Sequence, residues 1–113
     1  MNAEKYDELA AELDALANSI AASKRPGYTQ GHVDVLHNFK ASAARYGTTP
    51  LQAWGVQFDK QILSIATRVS KPEIRQGEAM ATRFADAINY LKLGWALMVD
   101  EECPEAKTAT LTK

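Results

Sequence analysis

The residues with the most chemical potential lie near the end of the sequence. Glu78, Asp86 and Tyr90 recur at multiples of four residues, with Thr82 between them, so a helix would place all four on one face. That face lies opposite an apolar stripe, so Asp86 is expected to point toward a second packed surface, where a carboxylate needs a partner. From composition alone, the favoured interpretation is an ion pair between Asp86 and a Lys or Arg on another helix.

Cationic residues cluster around the junction between the third and fourth predicted helices. Such a cluster suits a phosphate-bearing ligand, although charged junctions are commonly just solvated. Its members are Lys60, Arg68, Lys71, Arg75 and Arg83. Trp54 lies on an apolar stripe and is expected to anchor the core or an interface, with stacking on a purine base as the alternative.

Composition predicts one ordinary globular domain spanning residues 1–113. Hydrophobic residues make up 46% and charged residues 24%, and the net charge of -1 lacks the general attraction that a duplex nucleic acid binder needs. No apolar run approaches the ~20 residues of a membrane span. The single cysteine, Cys103, and the acidic start of the chain predict a cytoplasmic protein.

The periodicity of apolar residues predicts an all-α fold of four helices. We expect them at residues 2–22, 29–46, 50–69 and 72–101, followed by a polar tail at 104–113. Gly47 is expected to end the second helix, and Thr49 with Pro50 to begin the third. A capping-box pattern from Ser70 to Glu73 is expected to begin the fourth helix, whose second half should be buried nearly all round.

Three stretches carry a resemblance to a known family. RYGTTPLQAWGV, IATRV and GEAMATRFADAINYL resemble the MazG-like all-α NTP pyrophosphatases, and especially a short branch of nucleotide-modification-associated proteins common in phages. Tyr46 matches the aromatic residue of a Tyr-Gly turn, and Arg68 matches an arginine on the third helix. Glu78, Asp86 and Tyr90 match the series on the final helix. The resemblance covers about residues 33 to 99.

The resemblance implies a four-helix MazG-like bundle that binds a nucleotide. Glu78 and Asp86 would be the catalytic acids and Mg²⁺ ligands of a hydrolase that cleaves between the α and β phosphates. The residues that would contact the nucleotide are Lys60, Arg68, Tyr90, Tyr46 and Trp54. Thr82 stands where the family has another acid, which argues against hydrolysis.

Two alternatives to an enzyme stay open. The first is an inactive phage-type protein of the host cytoplasm that sequesters a nucleotide or nucleotide-derived signal, as an anti-defence protein would. The second is a structural or protein-inhibiting helical bundle, in which Asp86 forms an ordinary buried ion pair. In each case, the core is expected to be completed by a homodimer or tetramer that associates through the apolar ends of the third and fourth helices.

Overall fold

A computed structural model of the chain describes residues 1–29, 31–73 and 79–101. Within these ranges the fold is all-helical, as predicted, with four α-helices and no strand. The helices are α1 (Ala3–Thr29), α2 (His37–Tyr46), α3 (Pro50–Ser70) and α4 (Met80–Asp100). None of the described helices is both long and apolar enough to cross a membrane.

The turn between α2 and α3 is the part that local sequence determines best. Gly47 adopts the left-handed conformation with φ of 68° and donates its backbone N–H to the carbonyl of Ala43, which ends α2 as predicted. Thr49 caps α3 by accepting a hydrogen bond from the Gln52 backbone N–H, and the Gln52 side chain accepts one in return. Pro50 occupies the first turn, where its missing N–H costs little.

The boundary between α1 and α2 differs from the prediction. Helix α1 passes through Pro26 and ends at Thr29, so the proline does not end the helix as local propensity predicts. Just before the proline, Lys24 contacts Asp86 of α4. Thr29 therefore ends α1 and does not cap α2. The turn before α2 is formed by Asp34, whose carboxylate accepts the Leu36 backbone N–H at 2.9 Å.

The predicted start of α4 at Pro72 is also wrong. The Ser70 hydroxyl donates to the Ala66 carbonyl one turn back in α3, so it does not cap a new helix. Residues 71–73 form a turn, and the described part of α4 begins at Met80.

Helix α4 is central to the packing, because both α1 and α3 contact it. Leu36, Phe39 and Leu97 form the buried cluster between α2, α3 and α4. On the α1 side, Ala17 and Ala85 are fully buried, and these small side chains allow close approach of the two helices. Within the single chain, one side of the second half of α4 faces solvent, so the described helices alone do not bury that half all round.

Trp54 fixes the contact between α3 and α4. Its indole N–H donates to the Tyr90 carbonyl at 2.6 Å, and its ring stacks on Phe58 with centroids 5.0 Å apart. The ring lies directly against the backbone of Gly94, where any side chain would overlap it. This close approach requires glycine at position 94.

A charged network ties the end of α4 to the start of α2. The Lys40 ammonium lies 2.7 Å from the Asp34 carboxylate and 3.0 Å from the Asp100 carboxylate. The hydrogen bond from Lys40 is the main cause that lowers the pKa of Asp34, and the bond to Asp34 is the main cause that raises the pKa of Lys40. All three side chains are more than a third exposed, so solvent screens the network.

We expect Lys40→Met to lower the free energy of unfolding by about 0.5–1 kcal/mol at pH 7. Because the pKa of Asp34 is lowered in the folded state, its contribution is complete above the ordinary pKa of Asp, about 3.9, and is lost as pH falls through the folded value. Urea unfolding of both proteins from pH 7 to pH 2.5 would measure the difference. A difference that stays constant down to pH 2.5 would contradict the network.

Candidate functional site

Asp86 forms the ion pair that the compositional interpretation favours. Its carboxylate lies 3.3 Å from the Lys24 ammonium of α1, and its side chain is 9% exposed while that of Lys24 is 50% exposed. One turn further along α4, the Asn89 amide donates to the Ala17 carbonyl at 2.8 Å. Asp86 and Asn89 thus form a polar seam between α4 and α1, and the Asp86 charge already has a partner.

The other predicted site residues do not gather around Asp86. Glu78 lies outside the described residues. Tyr46 is exposed beside Gly47, with the Arg45 guanidinium 5.9 Å from the centre of its ring. Trp54 and Tyr90 are brought together, but by the indole hydrogen bond at the edge of the core. Two roles were predicted for Trp54, an anchor of the core and a stacking surface for a purine base. Its contacts are those of a core anchor.

The predicted phosphate-binding residues lie on another side of α4. Lys60 is exposed on α3 and lines a groove of about 340 Å³ with Arg83 of α4, so two members of the predicted cationic cluster share one groove. Arg68 is exposed in the last turn of α3. Asp86 faces α1, whereas this groove lies between α3 and α4. The described residues therefore do not assemble the acids and cations into one nucleotide site.

The described residues do not fit the Mg²⁺ site that the resemblance implies. No group of three or more His, Cys, Asp or Glu side chains in the described part of the chain is placed to hold a metal ion. The Asp86 carboxylate faces an ammonium group, which would have to leave before a cation could take its place.

A different site lies where α1, α4 and the segment before α2 meet. The cavity has a volume of about 130 Å³, close to the ~150 Å³ of an apolar cavity that accepts benzene. It is lined by Ala21, Arg25, Val35, Asn89, Lys92 and Leu93. We call it the Arg25 cavity. Its size suits one planar ring.

The Arg25 cavity combines apolar walls with two cations. Lys92 makes one long hydrogen bond, 3.4 Å, to the Asn18 side chain, and no acidic side chain among the described residues lines the cavity. Arg25 forms no ion pair with any residue that the structure describes. Asn89 is buried and uses its Nδ2 on α1, so its Oδ1 is the amide atom left to accept a hydrogen bond from a ligand.

A shallower groove continues from the Arg25 cavity toward the start of α2. It has a volume of about 390 Å³ and shares Arg25 and Val35 with the cavity. His32 lines the groove, and its ring stacks on that of His37 with centroids 3.8 Å apart. The cavity and groove together offer an apolar slot followed by a wider, cationic opening.

Sequence reasoning missed Arg25, Asn89 and Lys92. The segment around Arg25 carries a Pro-Gly pair, which predicts the end of a helix and gives no sign of a binding site. Asn89 carried a usable signal, since it is a polar residue three positions after Asp86 within an apolar stretch. A contiguous motif could not reveal the site, because its residues come from three segments far apart in the sequence.

The geometry thus supports an anion-binding cavity more directly than an acid pair. The MazG-like family, its metal site and its reaction stay predictions from the resemblance. No family model, curated protein or solved structure matches the chain.

Proposed function

We propose that the chain binds a nucleotide, or a small molecule derived from one, in the Arg25 cavity and holds it without hydrolysis. The observation that carries this proposal is that two cationic side chains, Arg25 and Lys92, line the same mainly apolar cavity of about 130 Å³. A nucleotide has the matching parts, a planar apolar base attached to an anionic phosphate.

Each part of a nucleotide has a candidate contact. The base would enter between Ala21, Val35 and Leu93, where Asn89 Oδ1 could accept a hydrogen bond from a ring or exocyclic N–H. The Arg25 guanidinium suits a phosphate, because its fork of donors can bind two oxygens at once. The Lys92 ammonium would add a second positive charge to the phosphate contact.

Two observations favour binding over hydrolysis. The Asp86 carboxylate already has a counter-charge in Lys24, and Thr82 carries a hydroxyl where the enzymes that the sequence resembles have an acid. A protein that binds without turnover acts by lowering the free concentration of its ligand, as an anti-defence protein would. Because Glu78 lies outside the described residues, hydrolysis stays a prediction that the same experiment tests.

The experiment incubates the protein and Mg²⁺ with a panel of nucleoside monophosphates, triphosphates and cyclic dinucleotides. After gel filtration and denaturation, chromatography identifies what was bound and whether it was cleaved. We expect at least one member of the panel to be recovered intact, without release of pyrophosphate. Arg25→Met and Lys92→Met should each weaken binding about 10- to 100-fold, since a hydrogen bond to a charged group contributes about 1.5–3 kcal/mol.

Lys71→Met provides the matched control, because Lys71 is an exposed cation that does not line the cavity. It should bind as the wild type does. Cleavage that Asp86→Asn abolishes would support the hydrolase instead. Recovery of neither ligand nor product from the whole panel would favour the structural bundle, and equal binding by the cavity variants would contradict the location.

A further inference from the structure

The outward side of α4 carries an apolar seam that the described residues leave largely exposed. Six residues occupy alternate steps of three and four along the helix, which are the a and d positions of three heptads. They are Ala81, Phe84, Ile88, Leu91, Trp95 and Met98. We call them the α4 seam.

The α4 seam is exposed although its composition is that of a core. Phe84, Leu91, Trp95 and Met98 are between 36% and 55% exposed. Of the flanking positions, 85, 87 and 94 are buried within the chain, and at the other three, 80, 92 and 99, only Lys92 carries a charge. A helix face that stays in solvent normally carries polar residues, so this face is suited to a partner.

We infer that the α4 seam pairs with the same seam of a second copy, with the two helices antiparallel. One alignment places every a residue opposite a d residue, and it pairs position n with position 179 minus n. The pairs are Ala81 with Met98, Phe84 with Trp95 and Ile88 with Leu91 of the second copy. Because the dimer axis is two-fold, each of these three pairs occurs twice, so all six seam residues of both copies take part in the interface.

Size and charge favour this alignment over a parallel one. The antiparallel pairing sets the small Ala81 against the long Met98, whereas parallel helices would place Trp95 against its own copy in one layer. Lys92 lies nearest to Ala85 of the second copy in its flanking row, so the seam's one flanking charge avoids its equivalent. The helix dipoles also oppose each other in the antiparallel pair.

The area of the α4 seam sets the expected strength. A helix of 21 residues is ~32 Å long and ~10 Å wide, so the seam offers roughly 300 Å² per copy. An apolar groove, with a volume of about 420 Å³, lies between the start of the seam and Leu9, Leu13 and Leu16 of α1, so the apolar surface continues onto α1. A standard interface buries ~800 Å² per partner, so the seam is smaller than a standard interface and we expect a weak dimer that forms only at the higher concentrations.

Sedimentation velocity from about 0.5 to 200 μM tests the dimer. The mass should rise from 12.4 kDa toward twice that value as the concentration increases. Leu91→Lys should stay monomeric at every concentration while its circular dichroism spectrum is unchanged, because the side chain is already 55% exposed. Leu63→Lys is the matched control, since Leu63 is 65% exposed on α3 outside the seam, and it should dimerise normally.

A wild-type protein that is monomeric throughout would overturn the inference and leave the seam to another occupant. Dissociation by Leu63→Lys but not by Leu91→Lys would place the interface on α3 and overturn it equally.

Disulfide cross-linking tests the orientation of the two helices. Two variants, Ala81→Cys and Met98→Cys, are each made with Cys103→Ser and mixed under mild oxidation. Antiparallel pairing predicts that the mixture forms cross-links between the two variants and that neither variant cross-links to itself. Efficient cross-linking of each variant alone, with none gained on mixing, would show parallel helices and overturn the alignment.

Discussion

Gly94→Val is expected to lower the free energy of unfolding by at least ~3 kcal/mol, the largest effect that the structure predicts for one substitution. A side chain at Gly94 would overlap the six-membered ring of Trp54. The ring cannot move away cheaply, because its N–H is bonded to the Tyr90 carbonyl and its face stacks on Phe58. The contact between α3 and α4 would therefore have to open.

Thermal unfolding measures this effect, and Gly55→Ala provides its control. A Cβ on Gly55 would meet no atom within 4 Å, and the residue lies inside α3, so alanine should stabilise the helix by up to ~1 kcal/mol. For a domain of this size, Gly94→Val should lower Tm by about 10–20 °C while Gly55→Ala raises it slightly. Equal Tm values for Gly94→Val and the wild type would contradict the placement of Trp54.

Lys24→Met is expected to lower the free energy of unfolding by about 1–2 kcal/mol, the second largest effect. The substitution leaves the Asp86 carboxylate buried on α4 without its counter-charge. Removing one partner of a buried pair commonly costs more, but Lys24 is half exposed and solvent already screens its charge. Asp86→Leu should remove the unpaired charge, so the double variant should be more stable than Lys24→Met alone.

A double-mutant cycle with these variants measures the coupling between Lys24 and Asp86. We expect a coupling free energy of about 1 kcal/mol from urea unfolding at pH 7. The result also bears on function, because a measurable coupling to Lys24 would mean that Asp86 stabilises the packing of α1 on α4. Additive effects would contradict the pair and would return Asp86 to the role of metal ligand that the resemblance implies.

The parts of the fold that local chemistry determines could be predicted from sequence. Gly47, Thr49 and Pro50 mark one turn through backbone requirements that are satisfied within a few residues. The end of α1 and the start of α4 differ from the prediction for the opposite reason. Pro26 should break a helix locally, yet α1 continues to Thr29. Ser70 could cap a helix, but its hydroxyl bonds back to the Ala66 carbonyl in α3.

The candidate site was harder to predict because its contacts are long-range. The sequence indicates that Asp86 needs a partner, but the partner, Lys24, lies 62 positions away and carries no local signal. Arg25 and Lys92 are separated by a similar distance and meet only because α1 packs against α4. The predicted grouping of Lys60 with Arg83 is correct, since both line one groove between α3 and α4, which follow each other in the sequence.

Calorimetric titration in the presence of a chelator tests the central claim most directly. The ligand is the nucleotide that the panel recovers, and the proteins are the wild type and the double variant of Arg25→Met with Lys92→Met. We predict that the wild type binds equally well with and without Mg²⁺, and that the double variant binds at least 100-fold more weakly. Binding that requires Mg²⁺ and survives in the double variant would contradict a metal-independent site in the Arg25 cavity.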